Sequence, residues 1–246
     1  MRKLFPEMNE VLRKGWIFCI FVYMLFGLGL FPNLMPLVAC GLWDNLQVTA
    51  WVELIYHFIN FLVLTAILKE HLSETFFTVQ MDFWIILRTV LIALGWMLLW
   101  VIILWGISVK RFGQMILLGY WPVCEMSVAM SPGLFVEEMP VLGTLCMAFL
   151  MPFTVTGLFY ASSFAPVSYR YPRLAYLVVA VVRLIPMLLF DIYWRGQADY
   201  VLITYVLDLP IHWLACWSYQ KTDCVWTPVF SLGIFNLMIS LANIIF

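Results

Sequence analysis

Read from its N-terminus, the chain alternates long apolar runs with short polar breaks, and the runs have the length of bilayer spans. A spanning helix needs about 20 mostly apolar residues. Runs of that kind cover Trp16 to Gly41, Trp51 to Leu68, Phe83 to Ile107, Val141 to Ser163, Leu174 to Phe190, Tyr200 to Trp217 and Trp226 to Ile245. The pattern predicts about seven transmembrane helices, within a range of six to eight. The first run is 26 residues long and has no small-residue cleavage site, so it reads as a retained span rather than a signal peptide. Gln114 to Met130 is also apolar but carries Trp121-Pro122 and Glu125, which suits an interfacial or re-entrant helix.

The polar breaks set an orientation. With the N-terminus in the cytoplasm, the inner segments hold Arg2, Lys3, Arg13, Lys14, Lys69, Arg170, Arg173 and Lys221, and the outer ones hold Lys110, Arg111 and Arg195. Basic residues concentrate on cytoplasmic loops, so the bias of eight to three favours N-in. Counting Gln114 to Met130 as a span would move Arg170 and Arg173 outside and weaken that bias. Composition agrees: 65% hydrophobic and 11% charged residues, with a mean hydropathy of +0.98, against about 45–50% and 25% in soluble domains. The expected fold class is an all-α polytopic membrane protein, a single transmembrane domain over 1–246. Within it lie N-terminal helices (1–110), an interfacial or re-entrant segment (111–140) and a core (141–246). A net charge of -1 gives no reason to expect nucleic acid as a partner; the lipid bilayer is the expected one. Six cysteines at irregular spacing, with no CxxC pair, indicate neither a disulfide framework nor a zinc ribbon, and no cofactor is expected.

Ionisable groups inside a bilayer are expensive, about 2.5–3.5 kcal/mol at its centre on insertion scales, so each requires a partner or a function. Glu137-Glu138 precede a helix that begins near Pro140, where carboxylates suit the positive end of the helix dipole. Glu53 with His57, and Asp208 with His212, place an acid and an imidazole one turn apart on one helical face. Those four are polar-cavity candidates together with Arg183. His57 and His212 are the weak metal candidates in a chain for which no metal is expected, and local ion pairing is the plainer reading. Pro210 frees a carbonyl one turn earlier, which suits a polar cavity beside Asp208 or His212. Arg88 and Arg183 should face the bundle interior or snorkel to an interface, and Asn60 and Asn236 should join helices by hydrogen bonds.

From Met151 onward three blocks follow a known order. MPFTVTGLFYASSFAPV (151–167) matches the frame A-P-x-T-E-E-L-L-F-R-G-x-x-F-x-P-L at Pro152, Thr154, Leu158, Phe159, Phe164 and Pro166. RLAYLVVAVVRLIPM, Arg173 to Met187, stands where a helix ending in F-x-x-x-H belongs. Trp217, Tyr219, Lys221, Thr222, Trp226, Pro228 and Asn236 match W-x-Y-x-K-T-x-x-x-W-x-P-I-x-x-H-x-x-x-N. Over roughly residues 151–240 the chain therefore resembles the CPBP family (CAAX protease and bacteriocin-processing), which includes the CAAX prenyl endopeptidases.

The resemblance implies a CPBP-type helical bundle in the bacterial cytoplasmic membrane. In that family a glutamate activates water for peptide hydrolysis, while histidines and an asparagine orient the water or stabilise the oxyanion. Here the glutamate pair falls on Val155 and Thr156, the arginine on Tyr160, the two histidines on Met187 and Leu232, and only Asn236 is kept. On this register no catalytic residue and no hydrolysis by the family mechanism are expected. The first reading is a non-catalytic module that binds a membrane-inserted peptide or partner protein, for instance in bacteriocin immunity or envelope regulation. An alternative is an active CAAX-type endopeptidase with a rebuilt site: EExxxxG in FVEEMPVLG makes Glu137 or Glu138 the base, assisted by His212 or His57. A third is a small-molecule or ion carrier using the acid–histidine pairs.

Overall fold

A helix that is apolar around its whole circumference has to be covered on every side, by protein or by lipid, and that requirement organises this chain. The computed structural model describes residues 46–111, 140–168, 171–186 and 198–245, and the described part is helical with no strand. We label its helices α1 (Leu46–Ile67), α2 (Lys69–Met81), α3 (Phe83–Arg111), α4, α5 (Pro172–Pro186), α6 (Ala198–Thr222) and α7 (Trp226–Ile245). The compound helix α4 runs through Pro140–Leu145, a π-helical turn Cys146–Leu150, Met151–Val155, a longer π-helical stretch Thr156–Phe164 and Ala165–Ser168. Two stretches, Phe83–Leu104 and Val141–Ser168, are long and apolar enough to cross a membrane. The expected run Trp16 to Gly41, the segment Gln114 to Met130, Glu137-Glu138 and Met187 lie outside the described residues.

The apolar runs expected after residue 50 are found as helices, most of them longer at the ends than hydropathy alone suggests; α7 has the expected bounds and α4 starts at Pro140. One helix was not anticipated. KEHLSETFFTVQM (α2) is too polar for a span, yet it is helical because Asp82 accepts from the Ile85 and Ile86 amides and donates its own to the Thr78 carbonyl, joining α2 to α3.

The centre is α4. Every residue from Met151 to Ala165 except Ser163 is buried, because α7 and α1 pack along its Cys146–Val155 half and α5 and α6 pack on Thr156–Phe164. The second contact surface of the bundle is α3 against α6 and α7. Proline and glycine set the α4–α7 spacing. Pro152 has no amide to give the Ala148 carbonyl one α-turn back, and Gly233 of α7 lies so close to that oxygen that a Cβ would stand 2.1 Å from it. At Gly157 an added Cβ meets the flexible end of Leu64 at 2.9 Å, a contact that gives way more easily.

One end of the bundle gathers three junctions. Cys224 donates to the Thr75 carbonyl of α2 at 3.5 Å, and the Phe164 ring lies edge-on to Tyr176 and Tyr219. Tyr176 donates to Gln220 at 3.0 Å. Asp223 ends α6 in the left-handed region, φ 49°, with its amide on the Tyr219 carbonyl at 2.8 Å.

Gly233→Ala is expected to lower stability by about 1–3 kcal/mol, the range for overpacking a close contact, whereas Gly95→Ala, which meets nothing within 4 Å, leaves it unchanged or slightly raised. Thermal unfolding of the three proteins in one detergent checks the order.

Candidate functional site

The small hydroxyls of the bundle mostly satisfy themselves. Thr154, Ser162 and Ser163 each donate to the carbonyl four residues back on α4, and Thr75, Thr89 and Thr222 do the same on their own helices. An imidazole has no such local option in a helix, so it needs a partner from another element. All three histidines of the chain are buried, and each one meets a hydroxyl. The His57 Nδ1 faces Thr154 Oγ1 at 3.5 Å; the Thr154 proton is already on the Leu150 carbonyl at 2.8 Å, so His57 is the donor in this long contact. His71 Nε2 shares a 3.0 Å hydrogen bond with the Tyr219 hydroxyl. His212 Nδ1 is hydrogen-bonded to the Tyr160 hydroxyl.

The Tyr160–His212 pair is the centre of a wider cluster. Arg183 of α5, buried, has its guanidinium 5.8 Å from the Phe159 ring centre, a cation–π arrangement. It is also near enough to the buried Cys216 thiol to act on it electrostatically. Cys216 lies one turn past His212, so α6 presents both to the same side. Two further bonds fix α5 on α6: Tyr205 donates to the Ala180 carbonyl, and the Trp213 indole donates to the Tyr176 carbonyl at 3.2 Å. A phenol, an imidazole, a guanidinium and a thiol are thus brought together where α4 is π-helical, a geometry frequent at functional sites. This set can hold a proton between Tyr160 and His212 and attract an anion at Arg183. Among its members no carboxylate stands ready to act as a base.

The residues at the expected family-site positions divide between two levels. Val155, Thr156, Tyr160, Leu232 and Asn236 are all buried. Val155, Tyr160 and Leu232 belong to one apolar core, but Leu232 and Asn236 sit on α7, which packs on Cys146–Val155, while Tyr160 lies in the stretch facing α5 and α6. Thr156, at the second glutamate position, buries a hydroxyl that has no hydrogen-bond partner among the described residues. The two acid–histidine turns are likewise kept apart: His57 meets Thr154 and His212 meets Tyr160, six residues and about 9 Å further along α4. Among the described residues no group of three His, Cys, Asp or Glu side chains is placed to hold a metal ion. The backbone at Glu53 and Asp208 is helical, and their side chains lie outside the described ones. Pro210 lines an apolar space walled by tryptophans, and His212 is hydrogen-bonded to α4. Arg88 is exposed near the start of α3, the snorkelling position.

No protein-family model matches this chain, and no curated protein or solved structure is significantly similar to it.

Sequence reasoning did not single out His71 or Tyr219, nor the pairing of Tyr160 with His212. For the first, the signal was present: a histidine in a polar break and a tyrosine in the W-x-Y-x-K-T block fall at the same end of the bundle. For the second, the partners are 52 residues apart, and no local period reports such a contact.

Two outcomes follow. Thr154→Val, which removes the hydroxyl facing His57, should destabilise by about 1–3 kcal/mol, while Thr156→Val, which replaces an unpartnered buried hydroxyl by a methyl of the same shape, should be neutral or stabilising. Equilibrium unfolding in detergent distinguishes them. The second concerns α2, which lies between apolar runs. Burial lowers the His71 pKa from 6.5 to about 4, so between those values the unfolded chain binds the extra proton, and His71-linked stability falls as pH drops from about 6.5 to about 4. Tyr219, Asp223 and Cys224 share that end; burial raises the pKa of all three, and protonating Asp223 opposes the loss. His71→Gln should therefore remove the downward arm of the profile and leave the Asp223 arm, as read from unfolding midpoints between pH 4 and 7.

Proposed function

We propose that this chain is a polytopic membrane protein of about seven spans, N-terminus in the cytoplasm of a bacterium, built on the CPBP plan without its hydrolytic machinery. In this reading it binds a membrane-inserted peptide or partner protein, as a bacteriocin-immunity or envelope-regulating module would. Composition and the two span-length helices support a membrane location. The meeting of residues 69–81, 164–176 and 218–227 at one end supports the orientation, since those are the segments that the basic-residue bias assigns to the cytoplasmic side.

The observation that carries the non-catalytic reading is the state of Val155, Thr156 and Tyr160. Val155 and Thr156 are buried where a base and its partner would need a carboxylate and a water. Tyr160 is committed to His212, so the position of the family arginine serves helix packing. A peptide-binding bundle needs neither group to be reactive. It needs a rigid buried centre and a face open to the bilayer, and α3 offers such a face through Trp84, Leu91 and Ile102, all exposed.

Protein purified in detergent is expected to leave a prenylated CAAX peptide and a membrane-peptide library uncut over hours, and to co-purify with a defined partner in a fixed ratio. Cleavage by the wild-type protein that disappears in the Glu137→Ala/Glu138→Ala variant would establish the rebuilt protease instead.

A further inference from the structure

A groove of about 640 Å³ opens between α3, α5 and α6, within the 300–1,000 Å³ typical of small-molecule sites. Its walls are nearly all apolar, and they carry Trp96 and Trp100 from α3, Trp213 and Trp217 from α6, and Tyr176 from α5. The sequence prepares it: Trp96 and Trp100, and Trp213 and Trp217, are each four residues apart and so stack along one face of their helix. Along α6 the lining runs from Pro210 to Trp217, about 10 Å of helix. Trp96 and Trp213 are partly exposed, 57% and 38%, so the groove is open to whatever surrounds the bundle.

Charge is confined to one end. Arg173, at the start of α5, lines the groove and is exposed. Lys221 is exposed four residues beyond Trp217, continuing the groove-lining face of α6. On α5 and α6 these two cations face one neighbouring acid in sequence, Asp223; Glu70, Glu74 and Asp82 lie on α2 and its junction with α3. This is the end shared by α2 and the α4–α5 and α6–α7 junctions, where chain and headgroups meet if the spans run as proposed.

We propose that the groove holds an acyl chain of an anionic glycerophospholipid, with the tryptophans against the chain and the phosphate between Arg173 and Lys221. An apolar trough ending in two cations matches an amphiphile with an anionic head, and basic pockets at the cytoplasmic ends of membrane helices bind such headgroups. A zwitterionic lipid fills the trough equally well but brings its own cation to Arg173 and Lys221. The inference rests on the transmembrane reading above and is independent of peptide binding.

Phosphatidylglycerol and phosphatidylcholine with brominated acyl chains, added to the detergent-solubilised protein, report chain contact through tryptophan quenching. Phosphatidylglycerol is expected to quench at a lower mole fraction, by about five-fold per cation and up to about 30-fold for the pair. In Arg173→Gln/Lys221→Gln, two exposed changes that leave the core intact, the preference should vanish while quenching by phosphatidylcholine stays as in the wild type. Replacing all four groove tryptophans, Trp96→Phe/Trp100→Phe/Trp213→Phe/Trp217→Phe, should remove most of the preferential quenching. Equal quenching by both lipids, a preference that survives in the Gln variant, or preferential quenching that persists once the four groove tryptophans are replaced would each overturn the proposal. Absence of quenching by either lipid would overturn the transmembrane reading with it.

Discussion

The close approach of α7 to α4 at Gly233 and Ala148 is the contact on which the rest of the bundle depends. Pro152 removes the α-helical donor for the Ala148 carbonyl, and the missing side chain of Gly233 lets a second backbone come up to that oxygen. Small residues permit such approaches where side-chain packing, rather than expulsion of water, drives helix association. Once α7 is held there, α1 covers the same half of α4, and the aromatic rings of Phe61, Phe149, Phe153 and Trp226 fill the space between them. The other half of α4 is left to α5 and α6, and its π-helical turns redirect Phe159 and Tyr160 toward Arg183 and His212.

Burial on every side then dictates how polar groups are arranged. Most serine and threonine hydroxyls turn back on their own helices, though Thr222 of α6 also meets Thr227 of α7 at 2.8 Å. Histidine and arginine have to reach across, so Thr154, Tyr160, Tyr219 and Phe159 become partners of residues 24 to 148 positions away. In an apolar interior a satisfied polar pair rigidifies and an unsatisfied one is costly. The three histidine–hydroxyl pairs mark different joints: α1 with α4, α4 with α6, and α2 with the end of α6. They specify which helix packs where, a job that uniform apolar surface does poorly.

How far this was legible in the sequence depends on range. Helix positions after residue 50 were readable because apolar length is a local property: Trp226 to Ile245 was bounded without error, and Pro140 marked the start of α4. Helix α2 was not, because its polar composition hides a helix held by the Asp82 junction. Glu53–His57 and Asp208–His212 were legible as faces but not as partnerships. The period of a helix says which residues share a side, and nothing in it says that α4 will supply Thr154 to one histidine and Tyr160 to the other. The groove was half legible, since the paired tryptophans of α3 and α6 are visible as four-residue repeats while their meeting is not.

The burial of the motif positions can be set against what the proposed resemblance would require. A hydrolase of the kind the motifs resemble needs its carboxylate, imidazoles and asparagine at one level, within reach of one water. Here the positions that correspond fall on two levels of α4, one packed by α7 and the other by α5 and α6, and the interior between them is filled by Phe153, Leu158 and Phe159. A carboxylate at Val155 would be buried in that filled core, with the His57 imidazole facing the neighbouring Thr154. What these positions can do is therefore set by the packing as much as by the residue types. The polar chemistry at Tyr160, His212 and Arg183 lies along the half of the central helix packed by α5 and α6, and Asn236 belongs to the helix that packs on the other half.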